Sequence, residues 1–364
     1  MTKAAITYRK GEQFKIENIE IDHPKSGEIL VKIVATGMCH TDLLARDQIS
    51  YVPLPAVLGH EGAGIVEEIG EGVTTVEPGD HVILTFDSCG KCDNCYNGHS
   101  YACDEFFSLN FQASEKAEKQ HRLHSGGVHL TTFFGQSSFA QYSMATERNV
   151  IKVEKDVPLE ILGPLACGVQ TGAGTVLNKL NPKVGSSIAI FGCGAVGLSA
   201  VMAAKIAGCN PIIAVDIHDE RLKLATELGA THTINSKQQN AVESILEITG
   251  KGVNYAVESS GLAAVIRESV ESLASLGISA IIGSSNDDVN LNIRTLRNER
   301  TVTGVLEGSS VPQVFIPQMI ELYKAGKFPF DKLIKFYSLE DINQASCDME
   351  SGVTIKPVIK MNEG

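Results

Sequence analysis

The sequence predicts an α/β protein with an irregular β domain and a doubly wound domain built on a six-stranded parallel sheet. In residues 1–150, short apolar runs are separated by Gly, Pro and Asp clusters, a pattern typical of a β domain with tight turns. From about residue 186, short apolar strands alternate with helical stretches, which favours a parallel sheet covered by helices on both faces. The 364 residues suffice for two domains of about 150 residues each.

The apolar runs of the β domain are 28–36, 63–70 and 80–86. The polar stretch 104–132 shows no clear period, so we expect it to be a surface lobe or a functional loop. His121, His124 and His129 lie in this stretch, and their spacing matches no strong metal site.

The second domain shows six predicted strands, the number required by a full dinucleotide-binding fold. The predicted strands are 187–191, 212–215, 231–234, 253–257, 278–282 and 301–305. The predicted helices of this domain are 195–208, 219–229, 238–249 and 263–275. Beyond it we predict helices over 312–325 and 339–350, and a final strand in IKPVIKM.

The charge balance bears on which partners are compatible with the chain. Lys and Arg number 31 against 43 Asp and Glu, a formal net charge of −12, which argues against a nucleic-acid or anionic-membrane partner. The start, MTKAAITYRKGE, has no apolar signal core, and no run approaches the length of a membrane span. We therefore expect a cytoplasmic protein without a membrane partner. In such a protein, clustered cysteines indicate metal binding or catalysis more often than disulfides.

A glycine-rich turn predicts a dinucleotide site. Gly192, Gly194 and Gly197 form G-x-G-x-x-G between the strand SSIAIF and the helical run LSAVMAAKIAG. The glycines permit a tight turn, close approach of a pyrophosphate and close helix packing, while the helix start offers N–H groups to phosphate. Asp216 ends the next strand about 20 residues later, where it can accept from ribose hydroxyls and repel a 2′-phosphate, so NAD is favoured over NADP.

Four cysteines cluster as C-x2-C-x2-C-x7-C: Cys89, Cys92, Cys95 and Cys103. Four thiolates suit a closed, structural zinc site. An iron–sulfur cluster is the main alternative, but the fourth cysteine lacks the ferredoxin spacing and its following proline. Disulfides are disfavoured by compartment, and unrelated free thiols would not cluster in this way.

A second set of candidate ligands is dispersed along the chain. Cys39 lies in GMCHTD, His60 and Glu61 lie in GHEGAG, and Cys167 lies in GPLACG. Two thiols and one imidazole leave one tetrahedral position open, as a catalytic zinc requires. From the residues alone, a single His or Cys of this kind is more often a packed core residue than a metal ligand.

Taken together and in this order, these motifs closely resemble those of the zinc-dependent medium-chain alcohol dehydrogenases, over essentially the whole chain. The resemblance implies a GroES-like catalytic domain over 1–168, a Rossmann domain over 169–305 and a return to the catalytic domain over 306–364. It also implies two Zn²⁺ per chain, NAD, a small alcohol or aldehyde substrate, and a homodimer or homotetramer.

The resemblance assigns roles to single residues around the metal and the substrate. Cys39, His60 and Cys167 match the catalytic zinc ligands, and Glu61 matches a carboxylate close to the metal. Asp42 matches the acid that orients the ligand imidazole. Thr41 matches the hydroxyl that touches the substrate oxygen and starts a proton relay. Many relatives end that relay in a histidine a few residues later, where this chain has Leu44.

Other residues match positions around the cofactor. His40 and Lys356 match residues that reach the pyrophosphate, and Arg221 matches a basic residue near the adenosine ribose. Val196 and Thr171 match residues that line the nicotinamide.

Within the family, the chain is most similar to bacterial aryl-alcohol (benzyl-alcohol) dehydrogenases. That similarity is carried by FFGQSSFAQY, LGPLACGVQTGAG and GKFPFDKLIKFY. Apolar or aromatic surface near the metal loops, expected from Leu44, Phe86, Phe106 and Phe107, would suit a flat apolar ring.

Two alternatives remain at this stage. Glutathione-dependent formaldehyde dehydrogenases share GxCHTD, but they carry an arginine shortly after the fourth zinc cysteine, where this chain has Asp104 and Glu105. A non-catalytic protein that binds zinc and NAD is the alternative from another class, against which the intact set Cys39, His60, Cys167 and Thr41 argues.

Overall fold

The computed structural model describes residues 2–112, 122–285 and 287–361. The chain divides into two compact units: one holds the described parts of 1–167, 311–320 and 331–364, and the other holds those of 168–310 and 321–330. The two units are thus interleaved in sequence. The expected return at residue 306 differs from this division, because 306–310 and 321–330 belong to the second unit and the division at 320 falls within a helix.

Strands and helices are numbered in chain order over the described residues. The strands are β1 Thr2–Thr7, β2 Lys15–Ile21, β3 Glu28–Gly37, β4 Ala56–Val57, β5 Glu61–Ile69, β6 His81–Leu84, β7 Leu123–Ser125, β8 Val128–Thr132, β9 Tyr142–Thr146, β10 Val150–Val153, β11 Ile188–Phe191, β12 Ile212–Asp216, β13 His232–Asn235, β14 Val253–Glu258, β15 Leu273–Ile281, β16 Thr301–Gly304, β17 Ile334–Ser338 and β18 Lys356–Lys360. The α-helices are α1 His40–Arg46, α2 Asp93–Tyr96, α3 Phe106–Asn110, α4 Gly168–Gly174, α5 Ala195–Ile206, α6 Asp219–Leu228, α7 Ala241–Thr249, α8 Ala263–Glu271, α9 Pro312–Lys324 and α10 Ile342–Glu350.

The first unit contains a closed barrel and a second sheet. The barrel order is β1-β2-β7-β8-β4, and the sheet order is β10-β6-β5-β3-β18-β17, with β9 also paired to β3. The predicted runs 28–36, 63–70 and 80–86 form β3, β5 and β6. The register places Gly37, at the end of β3, opposite both Glu61 and Val358, so the start of β5 and the last strand meet at one point.

The described part of the polar stretch 104–132, residues 104–112 and 122–132, contains more regular structure than its composition indicates. Its described part forms α3 and the barrel strands β7 and β8. Arg122 fixes this segment to the sheet through hydrogen bonds of 2.7–3.0 Å to the Glu28 carboxylate. His124 and His129 face each other across β7 and β8 with their Nδ1 atoms 3.0 Å apart, and His121 lies outside the described residues.

The second unit is built on the predicted six-stranded sheet, in the order β13-β12-β11-β14-β15-β16 with parallel pairing throughout. The strand order reverses between β11 and β14, which is where such sheets bind ligands. One predicted boundary was wrong: helix 263–275 ends at Glu271, because the apolar segment Leu273–Ile281 extends into β15. Within the described part of the chain, none of the helices has the length and apolar character needed to cross a bilayer.

Candidate active site

The structure brings the predicted ligand residues together in two clusters. In each cluster the candidate ligand atoms all lie within 4.8 Å of one another. One cluster is Cys89, Cys92, Cys95 and Cys103, and the other is Cys39, His60, Glu61 and Cys167. Residues separated by more than 100 positions in the sequence therefore converge at the end of β3.

One buried carboxylate positions two members of the second cluster. Cys39 precedes α1, and its backbone N–H donates to Asp42 Oδ2 at 2.9 Å. Asp42 Oδ1 accepts the Gly59 N–H at 3.1 Å and lies 2.8 Å from His60 Nδ1. Asp42 and His60 are essentially without solvent exposure, so this contact fixes the ring and directs its other nitrogen into the cluster.

The donor atoms of this cluster fit a zinc ion. His60 Nε2 is buried and has no hydrogen-bond partner among the described residues. A buried polar atom of this kind normally has a partner, and a metal ion satisfies it. The Cys167 thiol, and to a smaller extent Lys356 and His60, lower the pKa of Cys39 well below its usual value. Thiolate is the form of cysteine that binds metal.

Lys356 has a different partner from the one implied by the resemblance. Its Nζ lies 2.8 and 2.9 Å from the two Glu61 carboxylate oxygens and donates to the Met38 carbonyl at 3.2 Å. Lys356 is only 2% exposed. Burial raises the pKa of Glu61, and Lys356 opposes that rise. In this structure Lys356 compensates the charge of a carboxylate within the metal cluster, and its contact with a pyrophosphate stays a prediction from the resemblance.

The four-cysteine cluster is a closed set of sulfur ligands. The Cys103 thiol accepts the backbone N–H groups of Cys89 at 3.2 Å and Glu105 at 3.4 Å. A backbone hydrogen bond from Asp104 lowers the pKa of Cys92 to about 7, while burial raises that of Cys103 to about 12. The four thiols form no disulfide with one another. Four converging sulfurs fit a structural zinc ion.

The glycine turn of the second unit fits a pyrophosphate. Gly192 follows β11 with φ of +88°, a left-handed conformation that favours glycine. Gly194 precedes α5, and a Cβ there would meet no atom within 4 Å, so the backbone is open to a ligand. A Cβ at Gly197 would lie 1.8 Å from the Gly192 carbonyl, which explains why the helix can pack so closely. Val196 lies between them and is half-buried.

Asp216 ends β12 beside this turn. Its Oδ2 accepts the Cys193 N–H at 2.6 Å, and its Oδ1 accepts the N–H groups of Ile217 and His218 at 2.7 and 2.9 Å. These bonds fix the carboxylate at the carboxyl edge of the sheet, as a ribose acceptor requires. Arg221 lies 4.0 Å from the same carboxylate.

The other predicted residues occupy more varied environments. Thr41 Oγ1 lies 3.7 Å from Cys39 Sγ, so its hydroxyl borders the second cluster. His40 is exposed and Leu44 is half-buried. Thr171 lies in α4 of the second unit and is 7% exposed.

Comparison with known proteins agrees with this geometry. Residues 25–155 match the model for the alcohol dehydrogenase GroES-like domain, and residues 195–325 match that for a zinc-binding dehydrogenase. A geraniol dehydrogenase of Castellaniella defragrans is 41% identical over 98% of this chain and 97% of its own. The chain belongs to the zinc-dependent medium-chain alcohol dehydrogenases.

Solved structures extend the similarity. An alcohol dehydrogenase zinc-binding domain protein from Burkholderia ambifaria is 52% identical with a TM-score of 0.97, over 100% of this chain and 99% of the other. A benzyl alcohol dehydrogenase from Acinetobacter calcoaceticus is 49% identical with a TM-score of 0.96, over 99% of both chains. This alcohol dehydrogenase thus combines the GroES-like and Rossmann folds predicted from its sequence, with zinc and NAD as the cofactors of its family.

Two aromatic residues that were not predicted from the sequence contact the candidate zinc ligand His60. The centroid of the Phe134 ring lies 4.6 Å from that of the His60 ring, and the centroid of the Phe133 ring lies 5.6 Å from that of His60. Phe134 has φ of +52° and is 3% exposed, so a strained backbone holds it against the dehydrogenase site. The signal available was the pair FF immediately before the glycine in FFGQSSFAQY.

The aromatic residues expected near the metal contribute indirectly, through contacts with one another and with Phe134. Phe86 and Phe106 are buried with their ring centroids 5.6 Å apart, and the Phe106 ring lies 6.4 Å from that of Phe134. Phe107 is 65% exposed, and its ring lies 5.6 Å from that of Phe106.

Proposed function

We propose that this dehydrogenase oxidises primary aromatic alcohols of the benzyl type to aldehydes, reversibly and with NAD. The observation that carries the proposal is the continuous line of aromatic rings from Phe86 through Phe106 and Phe134 to His60. Buried rings packed against a candidate zinc-ligand histidine make its surroundings apolar and aromatic, which favours an apolar, flat substrate at that metal. The similarity to a benzyl alcohol dehydrogenase supports the same substrate class.

The roles of the residues follow from their positions. Bound zinc would act as a Lewis acid on the alcohol oxygen, and NAD would accept hydride from the carbinol carbon. Asp42 orients His60, and Lys356 compensates Glu61, so the ligand set is fixed before a substrate binds. This pre-organisation reduces the reorganisation needed during reaction.

We propose Thr41 as the group that removes the alcohol proton. A hydroxyl can accept one proton while it donates its own, and that of Thr41 borders the ligand set. The Leu44 side chain has no group that can accept or donate a proton, so the relay continues through the exposed His40 or directly to water. Cofactor contacts are proposed for His40, Thr171, Val196, Asp216 and Arg221.

A second candidate substrate class is the allylic primary alcohols. The relative from Castellaniella defragrans is a geraniol dehydrogenase. Geraniol and benzyl alcohol both carry a planar unsaturated carbon next to the carbinol carbon, so the same apolar surroundings would suit either. The assignment as a glutathione-dependent formaldehyde dehydrogenase has less support, because the acidic residues Asp104 and Glu105 follow the fourth zinc cysteine.

The test is a comparison of kcat/KM for benzyl alcohol, geraniol, ethanol and S-hydroxymethylglutathione, each with NAD and with NADP. We expect benzyl alcohol with NAD to be the best pair. A clear preference for geraniol would shift the assignment to allylic alcohols, and a preference for S-hydroxymethylglutathione would refute it. No turnover of any alcohol by zinc-loaded protein would favour the non-catalytic alternative.

Phe134→Leu tests the contribution of these rings directly, with Phe336→Leu as the matched control. We expect the first variant to lower kcat/KM for benzyl alcohol about tenfold relative to ethanol, since aromatic pairs contribute about 0.5–1.5 kcal/mol beyond their buried area. Phe336 is 41% exposed and lies on β17 against Lys360, so its replacement should leave the ratio unchanged.

We also propose that the dehydrogenase is a homo-oligomer joined through its NAD-binding unit. The edge strand β16 is mostly exposed: its Val302 is 41% exposed, and Leu276 on the neighbouring strand β15 is 68% exposed. An uncovered apolar edge is normally protected in a monomer. Light scattering should give the molecular mass of a dimer or a tetramer. Val302→Lys should lower that measured mass, because it places a charge in the proposed interface.

A further inference from the structure

We propose that Gln136 is a positioning residue for the catalytic zinc, because its side-chain carboxamide holds the backbone that carries the candidate ligand His60. This role requires that the cluster of Cys39, His60 and Cys167 bind that zinc. No role for Gln136 was predicted from the sequence. Three hydrogen bonds of one buried side chain, and the strand pairing that they replace, support the proposal.

The carboxamide of Gln136 bridges three backbone groups. Its Nε2 donates to the His60 carbonyl at 3.0 Å and to the Thr85 carbonyl at 3.1 Å, and its Oε1 accepts the Gly62 N–H at 3.2 Å. Gln136 is 1% exposed, so water does not compete for these bonds. One neutral side chain thus fixes the residues before and after Glu61, a member of the candidate ligand cluster.

These hydrogen bonds take the place of pairing between two strands. β5 lies between β3 and β6, and its pairing with β3 extends to Glu61. Its pairing with β6 ends at Ala63 and Ile83, two residues short of Glu61. The start of β5 therefore needs another partner on the β6 side, because unpaired buried N–H and C=O groups are costly. A carboxamide offers the donor and acceptor of a peptide group, so Gln136 acts there as a strand residue would.

Thr85 connects this bridge to a second ligand segment. The fully buried Thr85 hydroxyl donates to the Ala166 carbonyl at 2.8 Å, and Ala166 directly precedes the candidate ligand Cys167. Gln136 in turn donates to the Thr85 carbonyl. Gln136 therefore belongs to a hydrogen-bonded chain that connects the segments carrying His60 and Cys167.

The backbone of Gln136 is itself held in place. Its N–H donates to the Phe133 carbonyl at 3.1 Å, and its carbonyl accepts the Ser143 hydroxyl. Phe134 and Ser137, on either side of it, have φ of +52° and +58°, left-handed conformations that residues other than glycine rarely adopt. Strain of this kind is concentrated at functional sites. The turn thus fixes the carboxamide before a metal ion binds.

Gln136 and Asp42 hold different parts of the same ligand. Asp42 lies 2.8 Å from Nδ1 of the His60 ring, whereas Gln136 contacts the His60 backbone. The orientation of the ring and the position of its backbone are therefore set by different residues, and both must be correct for His60 Nε2 to reach a metal ion. Because Gln136 is neutral, its replacement by an apolar residue leaves the net charge around the ligand set unchanged.

The experiment measures zinc affinity rather than turnover. Gln136→Met keeps an unbranched side chain of similar length but removes all three hydrogen bonds. The zinc-loaded full chain is titrated with a zinc chelator, and the zinc that remains is counted per chain. We expect zinc at the cluster of Cys39, His60 and Cys167 to bind about tenfold more weakly, the low end of the loss typical for residues that support a metal ligand. The zinc of the four-cysteine cluster should be retained.

Asn343→Leu is the matched control. The Asn343 carboxamide also bridges backbone groups, since its Oδ1 accepts the Phe14 N–H at 2.9 Å and its Nδ2 donates to the Phe14 carbonyl at 3.0 Å. Asn343 belongs to neither ligand cluster. Its replacement should lower the melting temperature without changing zinc affinity.

Cobalt exchanged into the cluster that contains His60 gives a second readout, because its visible absorption bands depend on ligand geometry. These bands should shift in Gln136→Met but not in Asn343→Leu, whereas a purely structural role of Gln136 would lower the melting temperature and leave the bands unchanged. Retention of the four-cysteine zinc shows that the first unit of each variant is folded. If Gln136→Met does not fold, Gln136→Asn replaces it, since that side chain keeps the carboxamide but is one methylene too short for all three bonds.

Two results would overturn the role of Gln136: unchanged zinc affinity with an unchanged cobalt spectrum in the folded variant, or an equal loss of zinc affinity in Asn343→Leu. If the unmodified chain binds zinc at the four cysteines alone, the catalytic cluster itself is refuted, and the role of Gln136 with it. Normal zinc binding by the unmodified chain and by the variant would refute only the role of Gln136.

Discussion

Asp42 connects two candidate zinc ligands: its Oδ1 lies 2.8 Å from His60 Nδ1, and its Oδ2 accepts the Cys39 backbone N–H at 2.9 Å. The carboxylate is fully buried, and it raises the pKa of His60 well above its usual value even though burial opposes that rise. One acid therefore fixes the orientation of a ring and the position of a thiol.

Asp42→Asn should weaken zinc binding at the cluster of Cys39, His60 and Cys167. Loss of a carboxylate that supports a ligand histidine typically costs 10- to 100-fold in metal affinity or activity, and we expect a loss of about that size. Competition with a zinc chelator measures it. Asp22→Asn is the matched control, because Asp22 also faces a histidine, His124 at 3.3 Å, but outside the cluster. An equal loss in both variants would contradict the assignment.

The two clusters should be separable by zinc content. We expect about two zinc ions per unmodified chain, and about one in Cys103→Ser and in Cys167→Ser. Cys103→Ser should also lower the melting temperature, since structural zinc contributes to folding. Cys167→Ser should lose activity but keep ADP-ribose binding. Elemental analysis gives the stoichiometry, and the exposed Cys347→Ser is the control. Wild-type turnover in Cys167→Ser would refute the site.

The ion pair of Lys356 and Glu61 is a third target. Lys356→Met removes the ammonium group that is paired with the fully buried Glu61, and breaking a buried pair in this way costs about 3–5 kcal/mol. We therefore expect a marked loss of stability in denaturant unfolding of the zinc-loaded protein. The double variant Lys356→Met/Glu61→Gln should recover part of that loss.

Lys91→Met is the control for the loss of a lysine. Lys91 and Glu105 form an exposed pair 3.9 Å apart, and exposed pairs contribute about 1 kcal/mol at most. Similar losses in Lys91→Met and Lys356→Met, or no recovery in the double variant, would show that the buried pair is not the source of the effect.

Local patterns in the sequence were sufficient to predict the sheet of the second unit and the four-cysteine set, whereas the dispersed set of Cys39, His60 and Cys167 was predicted only through the resemblance to a known family. The strands alternate regularly with helices, and the glycines of 192–197 occupy fixed positions. Four cysteines within one loop also form a local signal. Each of these features depends on residues that are close in sequence.

Other features depend on contacts between distant segments, and those were missed. Lys356 reaches Glu61 across 295 positions, because β18 pairs with β3 where β3 pairs with β5. Phe134 contacts His60 because its backbone is left-handed, a conformation that a phenylalanine in the sequence does not predict. The polar composition of 104–132 concealed β7 and β8, which are held by pairing within the barrel rather than by their own apolar pattern.

Asp348 should make stability depend on pH in acid. It accepts hydrogen bonds from Tyr337 at 2.6 Å, Gln344 at 2.7 Å and Lys335 at 3.0 Å, which lower its pKa from 3.8 to about 2. The unfolded chain therefore binds more protons between pH 4 and pH 2, so this contribution to stability is complete above pH 4 and is lost as the pH falls towards 2. Asp348→Asn should lower the melting temperature above pH 4, and the difference from the unmodified protein should vanish near pH 2. The melting temperature of the variant is compared with that of the unmodified protein at each pH, because acid releases zinc from both proteins. Asp331→Asn, at an exposed residue, is the control. A difference in melting temperature between Asp348→Asn and the unmodified protein that does not change with pH would contradict the assignment.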